Sequence, residues 1–561
     1  MLNIKRNVFA EVSPFGGRFK DVFRGIVLLL VALLMVSCDR QWVGEGKSIF
    51  RYNESAGIAT LDPAYAKDQA LIWATSQLYN GLVRLDSNLN VEPCIAKRWT
   101  VSDDGLTYTF TLRDDVLFHR SEFFGTEDST RRVVAADFLY SFRRIMDPAV
   151  SSPGLWIFAN VADDGFVAPD DSTFVVRLRQ PFAPMLSLFA MPYCSVVPHE
   201  VVEHWGADFR SHPCGTGPFR FQYWKEGVKL VLRRNTHYFE RDEKGASLPY
   251  LDAVAVTFIV DKQTAFLEFV KGNLDFMNSL DASYKDELLT RTGQLRGKYA
   301  DRIEMVSTPF LNTEYLGFNM ELFCAGMSDD ARRKVRQAIN YGFDRRKMMK
   351  YLRNGVGKAG CEGMVPCGLP GYDSSSAYGY DYRPEESQRL LAEAGFPRGE
   401  GLPELVLSTT SSYLDLCKYI QQQLSLTGIK VKLEVTPPAA LREQMAQGKV
   451  PWFRGSWIAD YPDAENYMTL FYSHNHSPAG PNYTHYASAA FDRLYERALR
   501  VSDEEERVRL YRAMDSLVMA DAPVVVLYYD QILHFTQKCV KGLASNGMNA
   551  LDLRRVRKSE D

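Results

Sequence analysis

Trp457, Asp460 and Tyr461 stand within five consecutive positions of the run Gly-Ser-Trp-Ile-Ala-Asp-Tyr-Pro-Asp, residues 455–463. A carboxylate beside an aromatic face suits a cation, because the ring face is electron-rich and the acid supplies the counter-charge. An α-ammonium group is such a cation. The same residues also suit a structural role, with Trp457 in the core and Asp460 capping a turn before Pro462. A second possible chemistry lies in Ser473-His474-Asn475-His476-Ser477, with His485 nearby. Imidazoles at that spacing can hold a metal. A polar surface loop explains them as well and is the reading adopted, so no metal site is assigned. The chain has no G-x-S-x-G, H-E-x-x-H or G-x-x-x-x-G-K-S/T pattern. Glu504 and Glu505 open a charged helix, where a solvated face is expected. No catalytic residue and no cofactor is assigned.

The elements that would position these groups alternate between helix and strand. Tyr108, Phe110 and Leu112 alternate with polar residues after the turn signal Asp103-Asp104-Gly105. Ser328, Asp329 and Asp330 read as an N-cap and acidic first turn. Pro384 opens a helix with Leu390, Leu391 and Ala394 on one face and Gly395 as its stop. Leu416, Cys417, Ile420 and Leu424 form a helical face ended by Gly428. Ile429, Val431, Leu433 and Val435 then alternate with charged residues. A helix feeding a strand is the unit of an α/β domain. Two late helices precede Pro523 and a β-rich run at 524–529. There are no internal repeats and no flexible linker.

The N-terminus indicates export. Residues 26–36 are unbroken apolar, preceded by Lys5, Arg6, Arg18, Lys20 and Arg24. That run is shorter than the roughly 20 residues of a membrane-spanning helix and reads as a signal peptide. It ends at Val36-Ser37-Cys38, which resembles the bacterial lipoprotein processing box, although Met35 stands where Leu is usual. The resemblance implies lipidation at Cys38 and anchoring through more than one acyl chain. Removing residues 1–37 takes away five basic and two acidic residues, moving the formal net charge from −3 to −6. A weakly acidic chain argues against a nucleic-acid partner. Eight further cysteines are scattered, with no C-x-x-C. Exported cysteines can pair, and Cys361 with Cys367 could close a small loop. Buried free thiols are the alternative.

A series of short motifs runs along nearly the whole mature chain: Leu61-Asp62-Pro63; Leu78-Tyr79-Asn80-Gly81-Leu82; Ile95-Ala96-Lys97-Arg98-Trp99; Asp103 to Phe110; Gly215-Thr216-Gly217-Pro218-Phe219; Leu316-Gly317-Phe318-Asn319; Val335-Arg336-Gln337-Ala338-Ile339-Asn340; Leu390 to Gly395; and the Asp460 run. In this order the series resembles the extracytoplasmic solute-binding protein family 5, which serves peptide and nickel ABC importers. The resemblance implies an α/β, two-lobed periplasmic-binding-protein-like fold of type II, with an extra subdomain on the first lobe. Its expected division is 1–37 signal peptide, 38–85 lobe I, 86–207 extra subdomain, 208–310 lobe I, 311–520 lobe II and 521–561 return to lobe I. It further implies a monomer, held in the periplasm or at the cell surface through Cys38, that passes solute to an ABC permease and ATPase.

Carried over by position, Asp460 would receive a peptide's α-ammonium with Trp457 beside it, and Gly455, Ser456 and Tyr461 would complete the ligand-binding run. Dipeptide-selective members hold the ligand carboxylate with an arginine near the stretch that here is 405–412, where none occurs. An oligopeptide is therefore the expected ligand. The alternatives are a nickel chelate, haem, an opine or an oligosaccharide in the same fold, or a surface lipoprotein that no longer serves transport. Gly215, Thr216 and Gly217 are expected to be structural.

Overall fold

The computed structural model describes residues 48–279, 281 and 284–559. The expected signal peptide and the expected lipidation site Cys38 lie outside the described residues. Among those described, no helix is long and apolar enough to cross a membrane.

Two long strands organise the chain. Ile303–Phe318 and Val524–Gln537 run antiparallel beside each other, with the register interrupted between Pro309 and Thr313. On one side of that interruption, Trp452–Ile458 extends the sheet, followed by Leu405–Thr409 and the edge strand Val431–Val435. On the other side the order continues through Phe276–Asn278, Ile49–Asn53, Ala253–Thr257, Lys229–Arg234 and Phe219–Lys225. Each half thus forms its own α/β lobe, and the two strands are the connections between them. The expected β-run at 524–529 covers only the second-lobe part of this strand. Its continuation, from Ile532, pairs with residues 303–308 in the first lobe.

Local signals account for most elements. The strand Thr107–Leu112 buries every second residue and sits in a four-stranded antiparallel sheet with Ala96–Val101, Thr173–Leu178 and Val161–Asp170. Ser328 caps Asp329–Tyr341 by accepting from the Ala331 N–H. Pro384 occupies the first turn of Pro384–Glu393, where its missing N–H costs nothing. The helix Leu414–Leu426 links the parallel strands Leu405–Thr409 and Val431–Val435. The anticipated alternation in that last strand fails at Val435, which is exposed, because an edge strand has no neighbour to cover its end.

Gly215 and Gly217 have no left-handed backbone. Their need is space: a Cβ at Gly215 would lie 2.2 Å from the Leu78 carbonyl oxygen, and one at Gly217 2.4 Å from the Leu78 carbonyl carbon. The chain presses against the end of the helix Gln69–Leu78, whose last carbonyl accepts the Gly217 N–H at 2.9 Å. Asp62 caps the short helix Pro63–Tyr65 and pairs with Arg144 in the interior. Cys361 and Cys367 form no disulfide with each other, and Cys94, Cys194, Cys214 and Cys417 are buried thiols. They pack as small apolar side chains.

Candidate functional site

A cavity of about 500 Å³ opens between the lobes. The first lobe supplies Asp68, Gln69 and Ile72 from the start of the helix Gln69–Leu78, and Tyr193 and Trp156 from the 86–207 region. The second lobe supplies Ile458, Ala459, Asp460, Tyr461 and Pro462. Asp68 is held in place as the helix N-cap, accepting the Leu71 N–H at 3.1 Å.

The 458–462 segment leaves the end of the strand Trp452–Ile458 and turns into the short helix Glu465–Met468. Asn466 organises it. Its side-chain oxygen accepts the Trp457 indole N–H at 2.9 Å and the Asp460 backbone N–H at 3.2 Å. The Tyr467 hydroxyl donates to the Trp457 and Leu311 carbonyls, at 3.0 and 2.9 Å. The turn is therefore fixed from beneath, and the Asp460 carboxylate is left facing the cavity. Solvent reaches it there, yet the enclosing walls desolvate it, and this raises its pKa above the usual carboxylate range; a hydrogen bond from Asn466 opposes the rise. No cationic side chain pairs with Asp460 among the described residues.

Tyr461 reaches across the cleft. Its ring is buried in the first-lobe core and lies 6.3 Å from Trp156. Its hydroxyl donates to Glu465, which also accepts from Tyr495. Burial pushes the Glu465 carboxyl up to about 7. A second bridge between the lobes is the Ala183 N–H donating to the Leu499 carbonyl at 3.1 Å. Both contacts join the two lobes.

Of the five residues expected at the ligand, the structure brings Asp460 and Tyr461 to the cavity wall and sets the other three behind it. Trp457 packs against the second-lobe core and spends its N–H on Asn466. Ser456 donates to Asn312 and Glu314, at 3.0 Å each. A Cβ at Gly455 would meet the Tyr315 ring at 2.6 Å. All three belong to the strand Trp452–Ile458 and are covered on one face or the other of the sheet, whereas Asp460 and Tyr461 follow in the turn beyond its end. Asn466, Tyr193 and Trp156 carried no signal in the sequence; Asp68 did, as a helix-capping residue ahead of an apolar stripe.

Two α/β lobes joined by two continuous strands, with a cavity between them, define a solute-binding protein of the periplasmic type. Residues 90–479 match the family described as bacterial extracellular solute-binding proteins, family 5 Middle. The chain belongs to this family, the solute-binding components of ABC importers. It is 26% identical over 494 residues to the glutathione-binding protein GsiB of Salmonella typhi, covering 87% of this chain and 90% of that protein. Among solved structures it resembles the periplasmic binding protein DppA of Helicobacter pylori in complex with the peptide STSA, at 26% identity and TM-score 0.71, covering 92% and 98% of the two chains. The fold also matches HbpA2 of Haemophilus parasuis, at 23% identity and TM-score 0.79, covering 92% and 100%.

Proposed function

We propose that this protein captures short oligopeptides in the inter-lobe cavity and delivers them to an ABC permease. The observation that carries this reading is the Asp460 carboxylate, without a cationic partner among the described residues and facing a cavity of a size typical for small-ligand sites. A peptide's α-ammonium is the cation that fits it. The named solutes of GsiB and DppA, glutathione and the peptide STSA, support a peptide over a sugar or haem. The arginines on the wall, Arg84 and Arg554, are both committed to Glu240, and Arg84 also to Glu92 and Arg554 to Asp552. Neither offers an open guanidinium to a ligand carboxylate; Lys67, also on the wall, is the cation placed to meet one, and main-chain hydrogen bonds, which tolerate many sequences, would add to the ammonium contact. The proposed division is lobe I (38–85, 208–310 and the chain from Ile532), extra subdomain (86–207) and lobe II (311–520 with the strand part 524–529); on it Asp460 belongs to lobe II, which would close over the peptide.

Peptides of two to eight residues should raise the thermal unfolding temperature, with a stabilisation of about 2.7 kcal/mol at a hundredfold excess over Kd. A shift with nickel chelates or oligosaccharides and none with any peptide would assign a different solute.

Affinity should also depend on pH. The carboxylate of Asp460 is raised in the empty protein, and a bound ammonium would lower it. Binding therefore releases a proton at pH values between the two pKa values. Affinity should be full above the raised pKa and fall as the pH drops through it. Calorimetry across the acid range reads this, and a flat profile would mean that no carboxylate titrates on binding.

The same proposal includes membrane anchoring through an acylated Cys38. Intact mass of the natively expressed protein should start at Cys38 with added acyl chains. A Cys38→Ser protein with the same mass shift and membrane retention would exclude it.

A further inference from the structure

Two segments meet at the outer end of the second lobe. Glu321 follows the strand Ile303–Phe318, and His476 and His485 flank the loop that contains Ser477. A carboxylate oxygen and one nitrogen of each imidazole lie within 4.8 Å of one another. The two rings are stacked and nearly parallel, 4.9 Å apart and inclined by 3°. We propose that Glu321, His476 and His485 form a binding site for one divalent transition-metal ion of the zinc class.

The hydrogen bonds around the rings decide which nitrogens are free. His476 Nε2 lies 3.0 Å from the Tyr486 carbonyl oxygen. A carbonyl only accepts, so Nε2 carries the proton and Nδ1 keeps its lone pair. His485 Nε2 lies 3.0 Å from Ser477 Oγ, whose own proton goes to the Met445 carbonyl at 3.4 Å. Ser477 Oγ therefore accepts from Nε2, and Nδ1 of His485 also keeps its lone pair. Metal-bound histidines have this arrangement, with the non-ligating N–H held by an outer carbonyl or hydroxyl.

His485 Nδ1 is enclosed by protein and makes no hydrogen bond. The oxygen Oε2 of Glu321 is 3.2 Å away. A lone pair facing a carboxylate repels it unless a cation or a proton lies between them. A metal ion answers both groups and recruits His476 as well. The ring of His485 is also fixed in position: a Cβ on Gly448 would lie 3.0 Å from its Cε1. His474 takes no part, packing edge-on against Tyr472 at 5.0 Å.

Two imidazoles and one carboxylate favour zinc, nickel, cobalt or copper over magnesium or calcium, which prefer all-oxygen sites. The site is separate from the solute cavity. Across the sheet Phe318, three residues before Glu321, pairs with Trp452, whereas Ile458 on the cavity wall pairs with Asn312. Six residues of strand separate those ends, roughly 20 Å. An ion here would tie the loop at 321 to the loop at 476–485.

The test is calorimetric titration of zinc chloride into chelator-treated mature protein, with thermal unfolding in parallel. The expected result is one zinc per chain, with unfolding raised by zinc. His476→Ala and His485→Ala should each weaken uptake by roughly a hundredfold, and the exposed Glu321→Gln by at least roughly tenfold. His474→Ala should leave uptake unchanged, and Glu321→Gln should leave peptide binding unchanged. Absence of stoichiometric uptake overturns the proposal; the Glu321–His485 contact is then a plain ion pair of a protonated imidazole. Uptake that Glu321→Gln and His485→Ala leave intact overturns it too, because the ion then sits elsewhere.

Discussion

Asp460→Ala should lower peptide affinity by about two to three and a half powers of ten, because breaking an ion pair that lobe closure buries costs roughly 3–5 kcal/mol. N-acetylation of the peptide removes the other half of the same pair and should weaken binding to the native protein similarly. The two losses should not add: acetylated peptide should barely distinguish native protein from Asp460→Ala. If Asp460 only shapes the turn that Asn466 holds, the substitution should cost about 1 kcal/mol of fold stability and little affinity. Calorimetry on the four combinations separates the cases, and additive losses would remove Asp460 from the ammonium site.

Glu314→Ala should be the more damaging change to the fold. Glu314 lies in the interior on the strand Ile303–Phe318, directly across from Ser456. It pairs with Arg454 and accepts from Ser456 at 3.0 Å, from Asn312 at 3.2 Å and from Tyr413 at 3.4 Å. The Arg454 guanidinium lies over the Tyr413 ring. Removing the carboxylate leaves a mostly buried guanidinium without its counter-charge, a loss of roughly 3–5 kcal/mol. Replacing both partners together, as Glu314→Leu with Arg454→Met, should recover most of it, since the charges cost desolvation that an apolar pair does not. Urea unfolding measures both. A loss below about 1 kcal/mol for Glu314→Ala would mean that water reaches Arg454. Ser456→Ala belongs to the same experiment: lost stability with unchanged peptide affinity identifies it as a partner of Glu314.

The sequence announced the elements whose causes are local. Ser328 and Pro384 start helices, Gly428 lets one helix turn into its strand with a left-handed backbone, and Tyr108, Phe110 and Leu112 point the same way in a half-buried strand. These depend on a few neighbouring residues and on periodicities of 2 and 3.6, which any reader of the chain can count. The ordered motifs added the family, and with it the two-lobed plan.

Other features depend on residues distant along the chain. Nothing in the run at 524–529 shows that the strand continues to Gln537, because that continuation is stabilised by pairing with residues 303–308 and 276–278. Within the 455–463 run, composition marks Trp457 and Asp460 alike. Only the packed structure separates them, turning Trp457 onto Asn466 and the core while Asp460 faces the cavity. The histidines at 474, 476 and 485 are similarly equal as letters. Tertiary packing brings Glu321 to two of them and leaves His474 against a tyrosine. Residue type thus set which groups could carry charge or hold a proton. Which of them lost their solvent, and which found a partner first, was decided by contacts between segments that the chain order keeps far apart.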